Sequence, residues 1–189
     1  RNVKDLKLDS GHMMVISPDE GGMSRAIYIA NVLGLDMGMF YKRRDYTTII
    51  NGHNPIVAHE FLGTSVEGKD MIIIDDMISS GESVLEVAAA LKARKANKIF
   101  VFSTFGLFTN GLDKFDKAYE NGIINKVLTT NLIYQTPDLL EREWYVNCNM
   151  SKYIAYIIDT LNHDSSISDL LNPNERIQSI LAKYRNGEL

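Results

Sequence analysis

The chain has 189 residues, of which 45% are hydrophobic and 23% are charged, so it is long enough for one ordinary domain with a substantial core. Its formal net charge of −4 argues against a general nucleic-acid-binding surface, and any site for a polyanion must be local. No apolar stretch approaches the roughly 18 residues of a membrane span, and the one cysteine indicates a reducing compartment. We therefore expect a cytoplasmic protein that binds neither nucleic acid nor a membrane.

The predicted elements begin with an apolar strand over residues 12–17. A turn follows, and then a helix over Met23–Leu33 with Ala26, Ile27, Ala30 and Leu33 on one face. Gly34 should end this helix, because glycine readily adopts the left-handed conformation that closes a helix. A second strand is predicted over residues 37–41. The first third of the chain thus has the order strand, helix, strand.

A long polar connection over residues 42–68 precedes the remaining elements. Residues 71–74 are all apolar, which is typical of a strand buried on both faces inside a parallel sheet. The later predicted elements are a helix over 83–94, a strand over 99–103, a helix over 112–121, strands over 126–130 and 144–148, and helices over 152–162 and 174–184. This alternation predicts an α/β fold with a central, mainly parallel sheet flanked by helices and a helical C-terminal tail.

The strongest functional signal follows the strand over residues 71–74. Asp75 and Asp76 come at the carboxyl end of that strand, where open α/β sheets bind their ligands. The loop that opens the next helix is rich in hydroxyl groups and comprises Ser79, Ser80, Gly81, Glu82 and Ser83. Backbone N–H groups and hydroxyls suit a phosphate monoester, whereas adjacent carboxylates suit sugar hydroxyls or Mg²⁺. The segment is therefore interpreted as a site for a phosphorylated pentose, against the simpler alternative of a serine-capped helix.

A second candidate loop lies between the first predicted strand and the first helix. It contains Asp19, Gly21, Gly22 and Arg25. The glycines would let the backbone approach a diphosphate closely, and Asp19 could hold a metal ion. An ordinary strand-to-helix turn is an equally good interpretation of the local pattern.

Three consecutive cations, Lys42, Arg43 and Arg44, follow the second predicted strand. Such a run is usually a solvated surface. Placed opposite two anion-binding loops, these side chains could instead neutralise charge that develops on a transferring phosphoryl group. Sequence alone leaves both interpretations open for this run.

Residues 75–83 resemble the phosphoribosyl diphosphate motif of type I phosphoribosyltransferases and of ribose-phosphate pyrophosphokinases. The resemblance implies that Asp75 and Asp76 contact ribose hydroxyls and that the residues from Ser79 to Ser83 surround the 5-phosphate. Glu82 departs from the small residue that is common at its position, so its carboxylate must point away from the phosphate.

The other two motifs resemble the pyrophosphokinases in particular. Residues 17–25 are similar to the loop of the second domain in that family, which implies that Asp19 contributes to a Mg²⁺ site. Lys42 and Arg44 match the family's Lys-x-Arg motif, which implies a catalytic lysine and an arginine that contacts ribose 5-phosphate. Phe105 stands where many relatives have histidine.

The resemblance extends over nearly the whole chain and implies a phosphoribosyltransferase type I-like domain over residues 1–171, followed by a C-terminal helix over residues 172–189. It implies an enzyme of nucleotide biosynthesis that transfers the diphosphate of ATP to the 1-hydroxyl of ribose 5-phosphate, giving 5-phosphoribosyl 1-diphosphate and AMP. Mg²⁺ would be the cofactor, and a homo-oligomer is the expected assembly.

The family also has a preceding ATP-binding half, which we expect to be absent from this chain, so that the chain would be a fragment. Two other functions remain open at this point. One is a phosphoribosyltransferase that acts on a nucleobase, and the other is a non-catalytic regulatory subunit of the synthetase.

Overall fold

A computed structural model describes residues 6–44 and 56–188, with side chains described for residues 6–41 and 60–188, and a seven-stranded sheet runs through these parts of the chain. Its strands are β1 (Met13–Ser17), β2 (Asp36–Arg44), β3 (Ile56–Leu62), β4 (Asp70–Ile78), β5 (Ile99–Gly106), β6 (Lys126–Thr130) and β7 (Tyr145–Cys148). They lie side by side in the order β3-β2-β1-β4-β5-β6-β7. The β2–β3 pair is antiparallel and the other neighbouring pairs are parallel, which confirms the predicted mainly parallel sheet.

Helices lie on both faces of the sheet and follow the strands at the C-terminal end of the chain. They are α1 (Met23–Leu33), α2 (Glu82–Ala93), α3 (Asp113–Glu120), α4 (Pro137–Leu140), α5 (Ser151–Asn162), α6 (Ser168–Leu171) and α7 (Asn174–Arg185). Within the described ranges, no helix combines the length and the apolar composition that crossing a membrane requires. The predicted helical tail is confirmed as α5, α6 and α7.

The apolar strand predicted inside the sheet is buried on both faces. Residues 71–74 of β4 are at most 7% exposed, and alternate side chains enter two separate cores. Met71 and Ile73 pack with α2 and α3, whereas Ile72 and Ile74 pack in the core that α1 covers. β4 therefore anchors the residues that follow it from both sides.

The first two helices show how apolar spacing fixes the packing. Four apolar residues at helical spacing in α2 are all buried, and they are Val84, Val87, Ala88 and Leu91. Helix α1 has the predicted bounds and ends at Gly34, whose φ of 70° is left-handed. The prediction for Ile27 is wrong, because α1 contacts the sheet through Ala26 and Ala30 and leaves Ile27 42% exposed.

Two predicted boundaries are also wrong. The connection predicted over residues 42–68 contains the end of β2 and all of β3, an edge strand that pairs with β2. Strand β4 continues to Ile78 because its last residues pair with β5, as in Asp75 with Ser103. The two carboxylates thus belong to the end of the strand and do not follow it.

Strand β2 continues beyond its neighbour β1. Pairing between β1 and β2 ends where Ser17 meets Met39, and from Phe40 onward β2 pairs only with β3. We call this part, residues 40–44 with residues 56–61, the two-stranded extension.

Candidate functional site

The carboxyl ends of β1 and β4 bring the two predicted anion-binding loops together. These strands are parallel neighbours, with Ile16 opposite Ile73, so the loops that follow them leave the sheet at the same edge. Arg25 in the first turns of α1 joins the loops: its Nη1 lies 3.8 Å from Asp75 Oδ1 and its Nη2 lies 3.3 Å from Asp76 Oδ2. Arg25 belongs to the predicted diphosphate loop, and the structure pairs its guanidinium with the carboxylates of the other loop.

The pKa values of the two adjacent carboxyl groups shift in opposite directions. Burial raises the pKa of Asp75 to about 6, and the negative charges of Asp76 and Asp19 contribute in the same direction. The hydrogen bond from the Asp75 side chain lowers the pKa of Asp76, and the Arg25 guanidinium adds to this effect. Asp75 Oδ1 also accepts the Asp76 backbone N–H at 2.8 Å. Asp75 and Asp76 together form an acidic site, which suits a cation or the hydroxyl groups of a sugar.

The loop between β4 and α2 turns at Gly81, which no other residue could replace without strain. Its φ is 82°, in the left-handed region that favours glycine. A Cβ atom at this position would lie 2.2 Å from Cε2 of Phe115, so the ring occupies the space that any side chain would need. The loop therefore passes directly over α3, and the N terminus of α2 is aimed at the edge of the sheet that carries Asp75.

Residues that sequence analysis did not identify support this loop from behind. Leu107 N–H donates to Ile78 O at 2.8 Å, and Thr109 N–H donates to Ser79 O at 3.0 Å. Lys114, in the first turn of α3, forms an ion pair with Glu82, and this lysine holds the pKa of the Glu82 carboxyl below its ordinary value. No local motif marks these residues, since each meets the loop only through the pairing of β4 with β5 and the placement of α3.

The loop between β1 and α1 is a tight turn around Asp19. Ser17 Oγ donates to Asp19 O at 2.6 Å, and Gly22 N–H donates to Asp19 Oδ1 at 3.1 Å. A Cβ atom on Gly22 would lie 2.9 Å from Ser17 Oγ, whereas Gly21 is exposed. Glycine at position 22 thus lets the backbone close around the half-buried carboxylate.

The chemistry of these groups fits a magnesium site that a substrate completes. Among the described side chains, no group of three or more His, Cys, Asp or Glu residues is placed to hold a metal ion. Mg²⁺ in phosphate-transfer sites commonly uses one or two carboxylates together with substrate phosphates and water. Asp19, whose charge reaches Asp75, fits that requirement.

The remaining predicted residues, Lys42 and Arg44, lie on β2, the strand next to β1. The backbones of Lys42 and Arg44 belong to the two-stranded extension, where Lys42 is opposite His59 and Arg44 is opposite Ile56. Their side chains lie outside the described ones. The sequence predicts these residues in a connection, whereas the structure places their backbones in β2.

An apolar cavity of about 540 Å³ opens beside Asp75 and Arg25 on the face of the sheet that α1 covers. Its walls include Ile74, Phe102 and Leu128. Its accessible surface is almost entirely apolar, although Arg25, Asp75, Ser103, Thr104 and Thr130 are among the lining residues. The cavity therefore shares Arg25 and Asp75 with the predicted anion-binding loops but differs from them in the apolar character of its surface.

Comparison with known proteins defines the class first. The crystal structure of phosphoribosylpyrophosphate synthetase from Mycobacterium smegmatis matches 81% of this chain and 46% of its own with a TM-score of 0.66 and 23% identity. The fold is thus phosphoribosyltransferase type I-like, as the sequence predicted. Residues 50–172 match the family described as the phosphoribosyl synthetase-associated domain, and the chain belongs to this family.

Relatives with curated names support the same assignment. The chain is 32% identical over 167 residues to a ribose-phosphate pyrophosphokinase of Shewanella oneidensis, a match that covers 88% of this chain and 49% of the relative. It is 37% identical over 124 residues to a ribose-phosphate pyrophosphokinase of Mycoplasma genitalium, covering 65% of this chain and 35% of the relative. The chain therefore spans at most about half the length of these relatives.

Proposed function

We propose that this chain carries the sugar-phosphate site of a ribose-phosphate diphosphokinase. The reaction transfers the diphosphate of ATP to the 1-hydroxyl of ribose 5-phosphate and releases AMP. The observation that supports this most directly is that Asp75, Asp76 and the loop before α2 meet the Asp19 turn at adjacent strand ends. Membership of the phosphoribosyl synthetase-associated family supports the assignment of this reaction to that arrangement.

The substrate-binding residues have separate tasks in this proposal. Asp75 and Asp76 accept hydrogen bonds from the ribose hydroxyls. Backbone N–H groups at the start of α2 and the hydroxyls of Ser79, Ser80 and Ser83 bind the 5-phosphate, with Gly81 giving the backbone close approach.

The diphosphate and its metal ion would be held by the loop between β1 and α1, on the other side of the site from the sugar-phosphate loop. Asp19 would hold Mg²⁺, which when bound supplies positive charge to the diphosphate oxygens. Gly21 and Gly22 allow the backbone to approach the diphosphate, while Arg25 keeps the carboxylates of the sugar loop in place. Lys42 and Arg44 would stabilise the charge that develops during transfer, and Arg44 would also contact ribose 5-phosphate.

Replacing two hydroxyl groups of the phosphate loop tests the assignment. Ser80→Ala with Ser83→Ala should weaken ribose 5-phosphate binding about fivefold or more, because each hydrogen bond to a charged oxygen contributes roughly 1.5–3 kcal/mol before water compensates. Isothermal titration calorimetry gives the dissociation constants. Ser65→Ala, a change at an exposed serine outside the site, is the matched control and should leave binding unchanged. Equal affinity in the double variant and the unaltered chain would place the phosphate elsewhere.

Some predictions for the whole protein go with this proposal. Its substrates would be ribose 5-phosphate and ATP, its assembly a homo-oligomer, and its location the cytoplasm. The proposed division into a domain over residues 1–171 and a C-terminal helix over residues 172–189 also belongs here.

A further inference from the structure

Glu82 introduces a negative charge where the proposed phosphate would bind. It is the first residue of α2, directly after Gly81, so its backbone belongs to the proposed phosphate loop. A carboxylate in the first turn favours the helix itself, because it complements the positive end of the helix dipole. The same charge repels a phosphate dianion that binds at that helix end. The site therefore requires something to neutralise or displace the Glu82 side chain.

Lys114 meets this requirement from a neighbouring helix. Its ammonium group forms an ion pair with Glu82 Oε1, although 32 residues separate the two in sequence. Both side chains are about half exposed, so the pair contributes little to the stability of the fold. Its position beside the loop, and not its strength, makes it relevant to function.

The position of Lys114 is fixed by the residue that follows it. Phe115 is fully buried, and its ring lies beneath Gly81. The same ring stacks on Trp144 at 5.3 Å and meets Phe108 edge-on at 5.1 Å. The first turn of α3 is thus held against the phosphate loop by aromatic packing, and Lys114 is carried to Glu82 by that packing.

We propose that Lys114 is a positioning residue for the phosphate loop, which keeps the Glu82 carboxylate paired on α3 and so preserves the affinity of the loop for a sugar phosphate. This inference rests on the proposed function. It assigns no contact between Lys114 and the ligand, and its effect passes through Glu82. The structure therefore makes the consequence of losing Lys114 depend on whether Glu82 is present.

A double-mutant cycle on ribose 5-phosphate binding tests this dependence. Lys114→Ala should weaken binding about three- to tenfold at low ionic strength, because an unneutralised carboxylate then faces the phosphate. The loss should shrink in high salt, which screens exposed charges. Lys114→Arg should retain affinity, and Glu82→Gln combined with Lys114→Ala should restore it. Lys117→Ala removes the same charge from the same helix and should have no comparable effect.

The outcomes separate this inference from the function on which it rests. Unchanged affinity in Lys114→Ala would overturn the inference alone. An equal loss in the Glu82→Gln background would also overturn it, because Lys114 would then act on the ligand directly. If the unaltered chain binds neither ribose 5-phosphate nor inorganic phosphate, the proposed function falls and this inference falls with it. Thermal unfolding of each variant checks that the changes leave the fold intact.

Discussion

Asp75 combines partial burial with a place in the proposed site. Its side chain is 24% exposed, at the end of a strand whose preceding residues are inaccessible to solvent. The neighbouring Asp76 and Asp19 carboxylates add to the cost of ionising it, and the hydrogen bond from the Asp76 backbone N–H offsets only part of that cost. A carboxylate whose ionisation is opposed in this way is stabilised more by a nearby cation or hydroxyl donor than an ordinary surface carboxylate is.

The raised pKa of Asp75 predicts a pH-dependent stability. The folded chain keeps this proton up to a pKa of about 6, whereas the unfolded chain releases it near 3.8. The folded state therefore binds more protons between these values, and stability falls as pH rises through the window. Asp75→Asn should remove the effect, with a gain near zero at about pH 4 that grows to roughly 1–2 kcal/mol at neutral pH, allowing for partial solvent screening.

Urea unfolding at several pH values measures this gain. Glu120→Gln replaces an exposed carboxylate outside the site and should show no such trend. A difference between Asp75→Asn and the unaltered chain that stays constant from about pH 4 to neutral pH would contradict the pKa assignment.

Local motifs in the sequence predict part of the proposed site. Asp75 and Asp76 come directly after the apolar residues 71–74 and Gly81 precedes α2, so the pattern of apolar strand and helix start predicts that they lie at a ligand-binding edge. The partners Arg25 and Lys114 lie 50 and 32 residues away from Asp75 and Glu82. Their contacts depend on which strands are neighbours and on the orientation of α1 and α3, and no local pattern encodes either.

At the scale of elements, the turn at Gly81 couples the phosphate loop to α3. Gly81→Ala should cost about 2–4 kcal/mol of unfolding free energy, because alanine is strained at a left-handed φ and its Cβ would meet the Phe115 ring. Gly68→Ala is the matched control: φ is 74° there as well, but nothing lies within 4 Å of the added atom. That change should cost only about 1 kcal/mol.

Chemical denaturation of both variants gives the comparison. Equal costs for Gly81→Ala and Gly68→Ala would mean that backbone strain alone acts at Gly81. The packing of the loop against α3 would then have no energetic consequence.

Elements with strong periodicity could be predicted, and an edge strand could not. Helix α1 and strand β6 have their predicted bounds, since spacing and glycine mark them clearly. Strand β3 is absent from the prediction although its segment IVAHEFL is largely apolar, because the interpretation treats the whole of residues 42–68 as one polar connection. The continuation of β4 to Ile78 was missed for a related reason: pairing with β5 keeps polar residues extended where their composition indicates a loop.

At the scale of the whole molecule, the chain spans about half the length of the curated relatives that it matches. Transfer of a diphosphate requires both reactants to be held in alignment, and loss of oriented binding for one of them alone raises the barrier by several kcal/mol. We therefore expect the 189-residue chain on its own to bind ribose 5-phosphate weakly without forming AMP from ATP.

Coupled detection of AMP, with and without ribose 5-phosphate, tests that expectation. The Ser80→Ala and Ser83→Ala double variant provides the background rate for a chain with an impaired sugar site. Sugar-dependent AMP formation at an ordinary enzymatic rate would show that this chain, alone or as an oligomer, holds its own nucleotide.

Because β2 extends beyond β1, the residues of the proposed site differ in how firmly the sheet holds them. Asp75 and Asp76 stand on a strand that has a partner on each side and a core on each face. Lys42 and Arg44 lie on β2 in the two-stranded extension, where, among the described residues, β2 pairs with β3 alone. A pair of strands without further strand partners is only marginally stable in water. The extension is anchored at Phe40, which is buried in the core, so the backbone beyond Phe40 can adjust to an anion at a lower cost in free energy than the carboxylates can. Substrate would bind first to the firmly held carboxylates, and the cations of the two-stranded extension would adjust to it afterwards.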